Sequence, residues 1–189
     1  LKTMQDTVHK GAILILKDII EKAIDIVCDD DIDVDVPSPK LNKLIRCANM
    51  IYQELTEEYV QLKECSEIEF NDGKAYFHSF PKLVKDIISV SKMGIKQDFT
   101  VYPNFVCSSV KGTAEVTYTY HPSDLKLEEE VILPPNISCS ALAVGTASEY
   151  FYRSGLIDEA NFYKNRYDTT IINLTRHTKP IELKVRRFL

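Results

Sequence analysis

Glycine is scarce and scattered: six glycines stand singly along 189 residues. No run of them makes a phosphate-cradling loop, so the nucleotide-binding signatures built on clustered glycines are excluded. There is no G-x-S-x-G elbow and no cysteine in a local nucleophile signature, which removes the commonest sequence marks of nucleophilic catalysis. No stretch approaches the roughly 20 apolar residues that span a bilayer. The apolar segment 12–16 is soon interrupted by Lys17 and Asp18, and it suits an amphipathic helix better than a signal peptide. Positive charge is also in deficit, with 23 Lys and Arg against 28 Asp and Glu and a net charge of -5. Tight duplex binding depends on neutralising phosphates with Lys and Arg, so a chain this acidic is a poor ligand for DNA. DNA can still pass beside it without being held.

The five cysteines, Cys28, Cys47, Cys65, Cys107 and Cys139, are odd in number, and no two have C-x-x-C spacing. A secreted disulfide framework shows an even count in a short chain, so these read as buried free thiols of a reducing compartment. His9, His78, His121 and His177 are scattered among them without zinc spacing. Asp31-x-Asp33-x-Asp35 opens like a calcium-binding loop, but Val36 stands where the motif needs Gly and Asn42 where it needs a bidentate Glu. No metal, no cofactor and no catalytic residue is expected. The acidic run 29–35 reads as a solvated loop or as a like-charge patch facing a basic partner.

What is present is enough apolar content for one sizeable core, 44% of residues, and the length favours a single domain over 1–189. The pattern is α+β. A helix over 6–27 carries Ile13, Leu16, Ile20, Ala23 and Val27 at steps of three and four. A second helix starts at Ser38 as N-cap with Pro39 in the first turn, and runs to about residue 59 on Leu41, Leu44, Ala48, Ile51 and Leu55. The two are expected to pack as a pair within 1–62. A central antiparallel β insert over 63–135 follows, with strands near 67–70, 75–80, 99–107 and 114–120, and turn chemistry at Asn71-Asp72-Gly73. Residues 86–90 fit helix or strand. Val116, Tyr118 and Tyr120 alternate with Glu115, Thr117 and Thr119, which predicts a sheet with one wet face.

Pro134 and Pro135 then break the chain. A helix over 136–154, a left-handed cap at Gly155 and a helix from Asp158 to His177 predict a tight antiparallel hairpin within 136–178. Phe151, Tyr163 and Tyr167 are expected between its helices, and Tyr163→Ala is expected to cost about 3 kcal/mol, as for a buried ring. The remaining 179–189 alternates Ile181, Leu183 and Val185 with Glu182, Lys184 and Arg186, which suggests a terminal strand able to add to a neighbouring chain. Exposed tyrosine favours interfaces. The expected subunit interface therefore consists of Asp29, Asp30, Asp31, Asp33 and Asp35, Tyr150 and Tyr152, and Lys184, Arg186 and Arg187, with the acidic loop and basic end as complements in a head-to-tail contact.

The hairpin carries the text Ala141-Leu142-Ala143-Val144-Gly145-Thr146-Ala147-Ser148-Glu149-Tyr150, a Ser154-Gly155-Leu156 turn, and Asp158-Glu159-Ala160-Asn161-Phe162-Tyr163-Lys164-Asn165-Arg166-Tyr167. With strand 116–120 and His121-Pro122 before it, this resembles head–tail connector (adaptor) proteins of tailed bacteriophages. The resemblance implies a structural virion protein without catalytic residues or cofactor, assembled in the host cytoplasm into a ring, commonly a dodecamer, in the neck between capsid and tail. Such a ring sits below the portal protein, extends the channel through which genomic DNA passes without specific binding, and docks the next neck or tail protein. The β region is longer than a compact connector requires. That leaves open another neck, collar or tail-completion ring, or a small non-viral binding module that uses the wet sheet face. An enzyme with a site assembled from distant residues is a third reading, for which no motif speaks.

Overall fold

The computed structural model describes residues 14–29 and 31–176. The fold is α+β, with four helices and two antiparallel sheets among the described residues. The chain divides into two compact units, one of Leu1–Ile51 with Leu125–Leu189 and the other of Tyr52–Asp124.

The first unit is helical. Helix α1 (Leu16–Val27) buries Leu16, Ile19, Ile20 and Ala23, most of the stripe that the sequence predicts. Residues 6–13 of the expected helix lie outside the described residues. The Asp18 carboxylate accepts the Ile15 N–H at 3.2 Å. The helix ends at Cys28, which takes a left-handed conformation (φ 54°) and donates its N–H to the Ile24 carbonyl. Helix α2 (Pro39–Glu58) starts as expected, with Ser38 Oγ accepting the Leu41 N–H at 3.1 Å. Its residues from Tyr52 onward belong to the second unit. Helices α3 (Cys139–Arg153) and α4 (Ile157–Arg176) form the hairpin. Ser138 caps α3, its Oγ accepting the Ala141 N–H at 3.2 Å. Gly155 sits at φ 80°, and the Leu156 N–H reaches back to the Phe151 carbonyl at 3.0 Å. That is the left-handed cap the sequence signals, and it turns the chain sharply into α4.

Helix α1 lies against α3, and α3 is the centre of the unit. The reason is the size of its side chains. Every residue from Ala141 to Ser148 is buried, and alanine and glycine on several faces let neighbouring helices come close on each side. Ile26, Val27 and Tyr163 pack round Ala147, Phe151 and Ala160.

Residues 125–133, read from sequence as the end of the β insert, belong to this helical unit. They run antiparallel to the entry of α1, where Leu127 and Glu129 carbonyls accept the Lys17 and Leu16 N–H groups at 2.9 and 3.1 Å. A helix start has free N–H groups that need acceptors, and this segment supplies them. Buried Asn49 pins the segment's beginning: its side chain accepts the Leu125 N–H at 2.7 Å and donates to the Leu125 carbonyl at 3.0 Å. Asn49→Leu keeps the volume but leaves both backbone groups without that partner. It is expected to lower stability by about 2 kcal/mol, the penalty for unsatisfied buried polar groups, as measured by urea denaturation.

The second unit holds strands β1 (Lys63–Phe70), β2 (Lys74–Tyr76), β3 (Val84–Lys92), β4 (Ile95–Gln97), β5 (Phe99–Val101), β6 (Phe105–Ser108) and β7 (Gly112–Tyr120). One sheet has the order β1-β7-β3-β4 and the other β2-β6-β5, with every pairing antiparallel. The β1–β2 turn uses Asp72 and Gly73 at positive φ, as the Asn71-Asp72-Gly73 text predicts. Two expected strands are shorter than predicted. Residues 77–79 leave the strand expected over 75–80 and form a 3₁₀ turn, and the strand expected over 99–107 is a hairpin that reverses between β5 and β6 around Pro103, whose missing N–H suits a turn. The ambiguous 86–90 is strand, and a second hairpin follows it, with Met93 and Gly94 at positive φ. Val116, Tyr118 and Tyr120 face the core as predicted. Thr119 is buried too, because its Oγ1 accepts the Asp86 N–H at 3.0 Å where β3 is irregular.

Candidate functional site

The acidic loop is the first expected site, and it is largely occupied from within. Lys40 Nζ sits 2.9 Å from Asp29 and 3.2 Å from Asp31, and Lys17 Nζ sits 2.6 Å from Asp35. The hydrogen bond from Lys40 holds the Asp29 carboxyl below its ordinary range. Asp33 accepts the Asp35 N–H at 2.9 Å, a local turn contact. Asp30 lies outside the described residues. Helical positions 17 and 40 are far apart in sequence, so nothing in the local text of the loop revealed these partners.

The hairpin rings divide differently from the expectation. Tyr150 was assigned to the interface, yet it is 7% exposed, with Lys43 Nζ over its ring at 4.6 Å. Burial is the larger cause that pushes its phenol upward, with Asp29 next. Tyr152 is exposed as expected, at 63%. Phe162 is equally open at 64%, and Leu156 and Ile157 stand exposed at the turn between the helices. Phe162 is not a loose ring. It meets Tyr163 edge-on at 5.1 Å, and Tyr163 stacks on Phe151 at 5.4 Å, so an exposed ring stands on a buried base. Phe162, Leu156 and Ile157 were not assigned to a site from sequence. The signal was available, since Ala160, Tyr167 and Ile171 define the buried stripe of α4 and Phe162 lies off it.

The first unit also holds a groove of about 790 Å³ between α1 and residues 130–139. Its apolar floor includes Leu14, Ile132, Leu133 and Pro135, and Asp18, Glu21, Asp25 and Glu130 supply carboxylates. Lys22 is its lining cation and approaches the Cys139 thiol. Lys184, Arg186 and Arg187, with the expected strand 181–188, lie outside the described residues.

In the second unit, four rings form a row on the small sheet. Tyr102 stacks on Phe105 at 4.7 Å, Phe105 neighbours Tyr76 at 5.7 Å, and Tyr76 stacks on His78 at 5.6 Å. Lys74 Nζ lies 5.3 Å from the Phe105 ring centre.

The cysteines correct the expectation of five buried thiols. Cys47 is buried, and burial raises its thiol to about 11. Cys28 and Cys65 are exposed, and Cys107 and Cys139 are half-buried. The two exposed ones stand at a helix end and on the outward face of β1, where no core reaches them. Among the described residues no group of three His, Cys, Asp or Glu is placed to hold a metal ion, and no helix is long and apolar enough to cross a membrane. No protein-family model matches the chain, and no curated protein matches it.

Proposed function

We propose that this chain is a structural ring subunit, a head-to-tail adaptor of a tailed bacteriophage that sits below the portal protein in the virion neck. The observation that carries the reading is the exposed apolar end of the hairpin: Tyr152, Leu156, Ile157 and Phe162 in open solvent on a rigid aromatic base. Exposed aromatics held rigidly are the residues that dominate protein interfaces. The hairpin text that resembles connectors supports the same reading, as does a net negative chain that lets DNA pass without holding it. Along the described chain, helices α1 and α2 are followed by a β insert and then by the α3–α4 hairpin. Subunits meet head to tail in a ring, commonly a dodecamer, which docks the portal on one side and the next neck or tail protein on the other. A collar or tail-completion ring is the near alternative.

A binding module is the second reading, and the ring row Tyr102, Phe105, Tyr76 and His78 favours it, because stacked exposed rings make a platform for a flat or extended ligand. Negative-stain microscopy of the purified chain mixed with the portal protein of the same virus separates the two. Rings on the portal are expected. Tyr152→Ser with Phe162→Ser is expected to abolish them, at about 2 kcal/mol per ring, with the circular dichroism spectrum unchanged. A chain absent from purified virions overturns the adaptor reading.

A further inference from the structure

A tight turn joins β3 to β4, with Met93 at φ 53° and Gly94 at φ 78°. Such a turn favours Asn or Gly, and a bulky apolar residue rarely takes positive φ. Methionine nevertheless stands there, 93% exposed, with Ile95 exposed beside it. The core uses neither side chain. A backbone outlier that folding does not call for points to a contact outside the unit. The turn is also surrounded by positive charge. Lys92 stands opposite Ile95 and donates to the Lys111 carbonyl, and Lys96 stands opposite Ser91. Glu115, across from Ser91 on β7, accepts the Ser91 hydroxyl at 3.2 Å. Lys96 and Lys111 are exposed and form no ion pair among the described residues. The surface that fits this tip is therefore apolar and acidic together.

The end of the α3–α4 hairpin is such a surface. Leu156, Ile157 and Phe162 are exposed there, and Asp158 and Glu159 stand exposed among them in the first turn of α4. Neither acid forms an ion pair among the described residues. Arg153 does not cancel them, since it is held by Glu149 at 2.7 Å.

We propose that the Met93–Gly94 turn of one copy docks on the hairpin end of a second copy, with Met93 and Ile95 on Leu156, Ile157 and Phe162, and with Lys96 and Lys111 facing Asp158 and Glu159. Apolar area on both sides supplies affinity, and the opposite charges fix the register. The two surfaces differ, so the contact is heterologous and repeats from copy to copy, as a closed ring requires. The proposal rests on the ring reading and names the surfaces through which its subunits meet.

A carbodiimide joins lysine amines to carboxylates in contact. It is applied to an equimolar mixture of unlabelled and heavy-isotope-labelled full chain, alone and with the portal protein, and the links are read by peptide mass spectrometry. Mixed-isotope peptides joining Lys96 or Lys111 to Asp158 or Glu159 are expected. Met93→Gly with Ile95→Thr removes the apolar side chains and suits the turn better. It is expected to lower the yield of these links about tenfold, while the urea midpoint does not fall. Equal yields in parent and variant overturn the proposal, as do links found only within one isotope or only from the tip lysines to the portal protein. Rings on the portal without mixed links overturn this contact and leave the adaptor reading standing. Mixed links without rings support the contact and overturn the adaptor reading.

Discussion

Tyr167→Ala is expected to lower the unfolding free energy by about 4 kcal/mol, near the top of the range for deleting a buried aromatic ring. Tyr167 is fully buried, and its ring lies against the backbone of α3 at Gly145, where an added Cβ would stand 2.9 Å from its Cδ2. Alanine leaves a ring-sized void between two helices whose spacing is held by other contacts, including Ser148 Oγ to the Ala160 carbonyl at 3.2 Å. Partial collapse recovers little, so transfer and cavity costs add. The sequence reading placed the comparable loss at Tyr163. That ring is half-buried and stacks on Phe151, and Tyr163→Ala is expected to cost less than Tyr167→Ala. Urea denaturation followed by far-UV circular dichroism checks both. Because the chain has two compact units, the shift is expected in the transition of the helical unit. Equal losses for the two variants would refute the placement of the core between α3 and α4.

Much of the hairpin was legible because its ends are written in local chemistry. Ser138 and Gly155 act through atoms a few residues away, and so do Ser38 and Pro39 at the start of α2. Periodicity gave the buried face of α1, since Leu16, Ile20 and Ala23 return to one side. It could not say which helix covers that face, because a stripe is apolar toward any partner. Alternation gave Val116, Tyr118 and Tyr120 as core, but Thr119 shows its limit: a hydroxyl that satisfies a strand irregularity is buried on the nominally wet side. Residues 125–133 read as the end of the β insert, whereas the Leu127 and Glu129 carbonyls serve the free N–H groups of α1. The candidate surfaces were legible in composition and not in placement. Acidic loop charges looked free until Lys17 and Lys40 were brought beside them by the fold, and the groove acids are split between α1 and Glu130, more than a hundred positions away.

Gly145→Val is expected to cost about 3 kcal/mol, the scale of overpacking a filled core. The glycine is not needed for an unusual backbone, since it lies inside α3 and alanine is the better helix former by about 1 kcal/mol. Its role is the close approach of three helices. A Cβ there would meet Ile51 Cγ2 at 2.9 Å on one side and Tyr167 Cδ2 at 2.9 Å on the other, so relief on one side presses on the other. Gly145→Ala gains the helix preference and still crowds both neighbours, and it is expected to cost less than the valine. A double-mutant cycle decides the cause. In a Tyr167→Leu background the side chain that blocks one side is shorter, and Gly145→Ala is expected to become neutral or stabilising there, with a coupling of about 1–2 kcal/mol between the two sites. Additive losses would mean that Gly145 matters for a reason other than contact with that ring. The cycle also bears on the proposed assembly, because Phe162 stands on Tyr163, Tyr163 stacks on Phe151, and those rings keep their place only while α4 lies close to α3. A Gly145→Val chain that remains folded but fails to form rings on the portal would tie the hairpin's spacing to its exposed end.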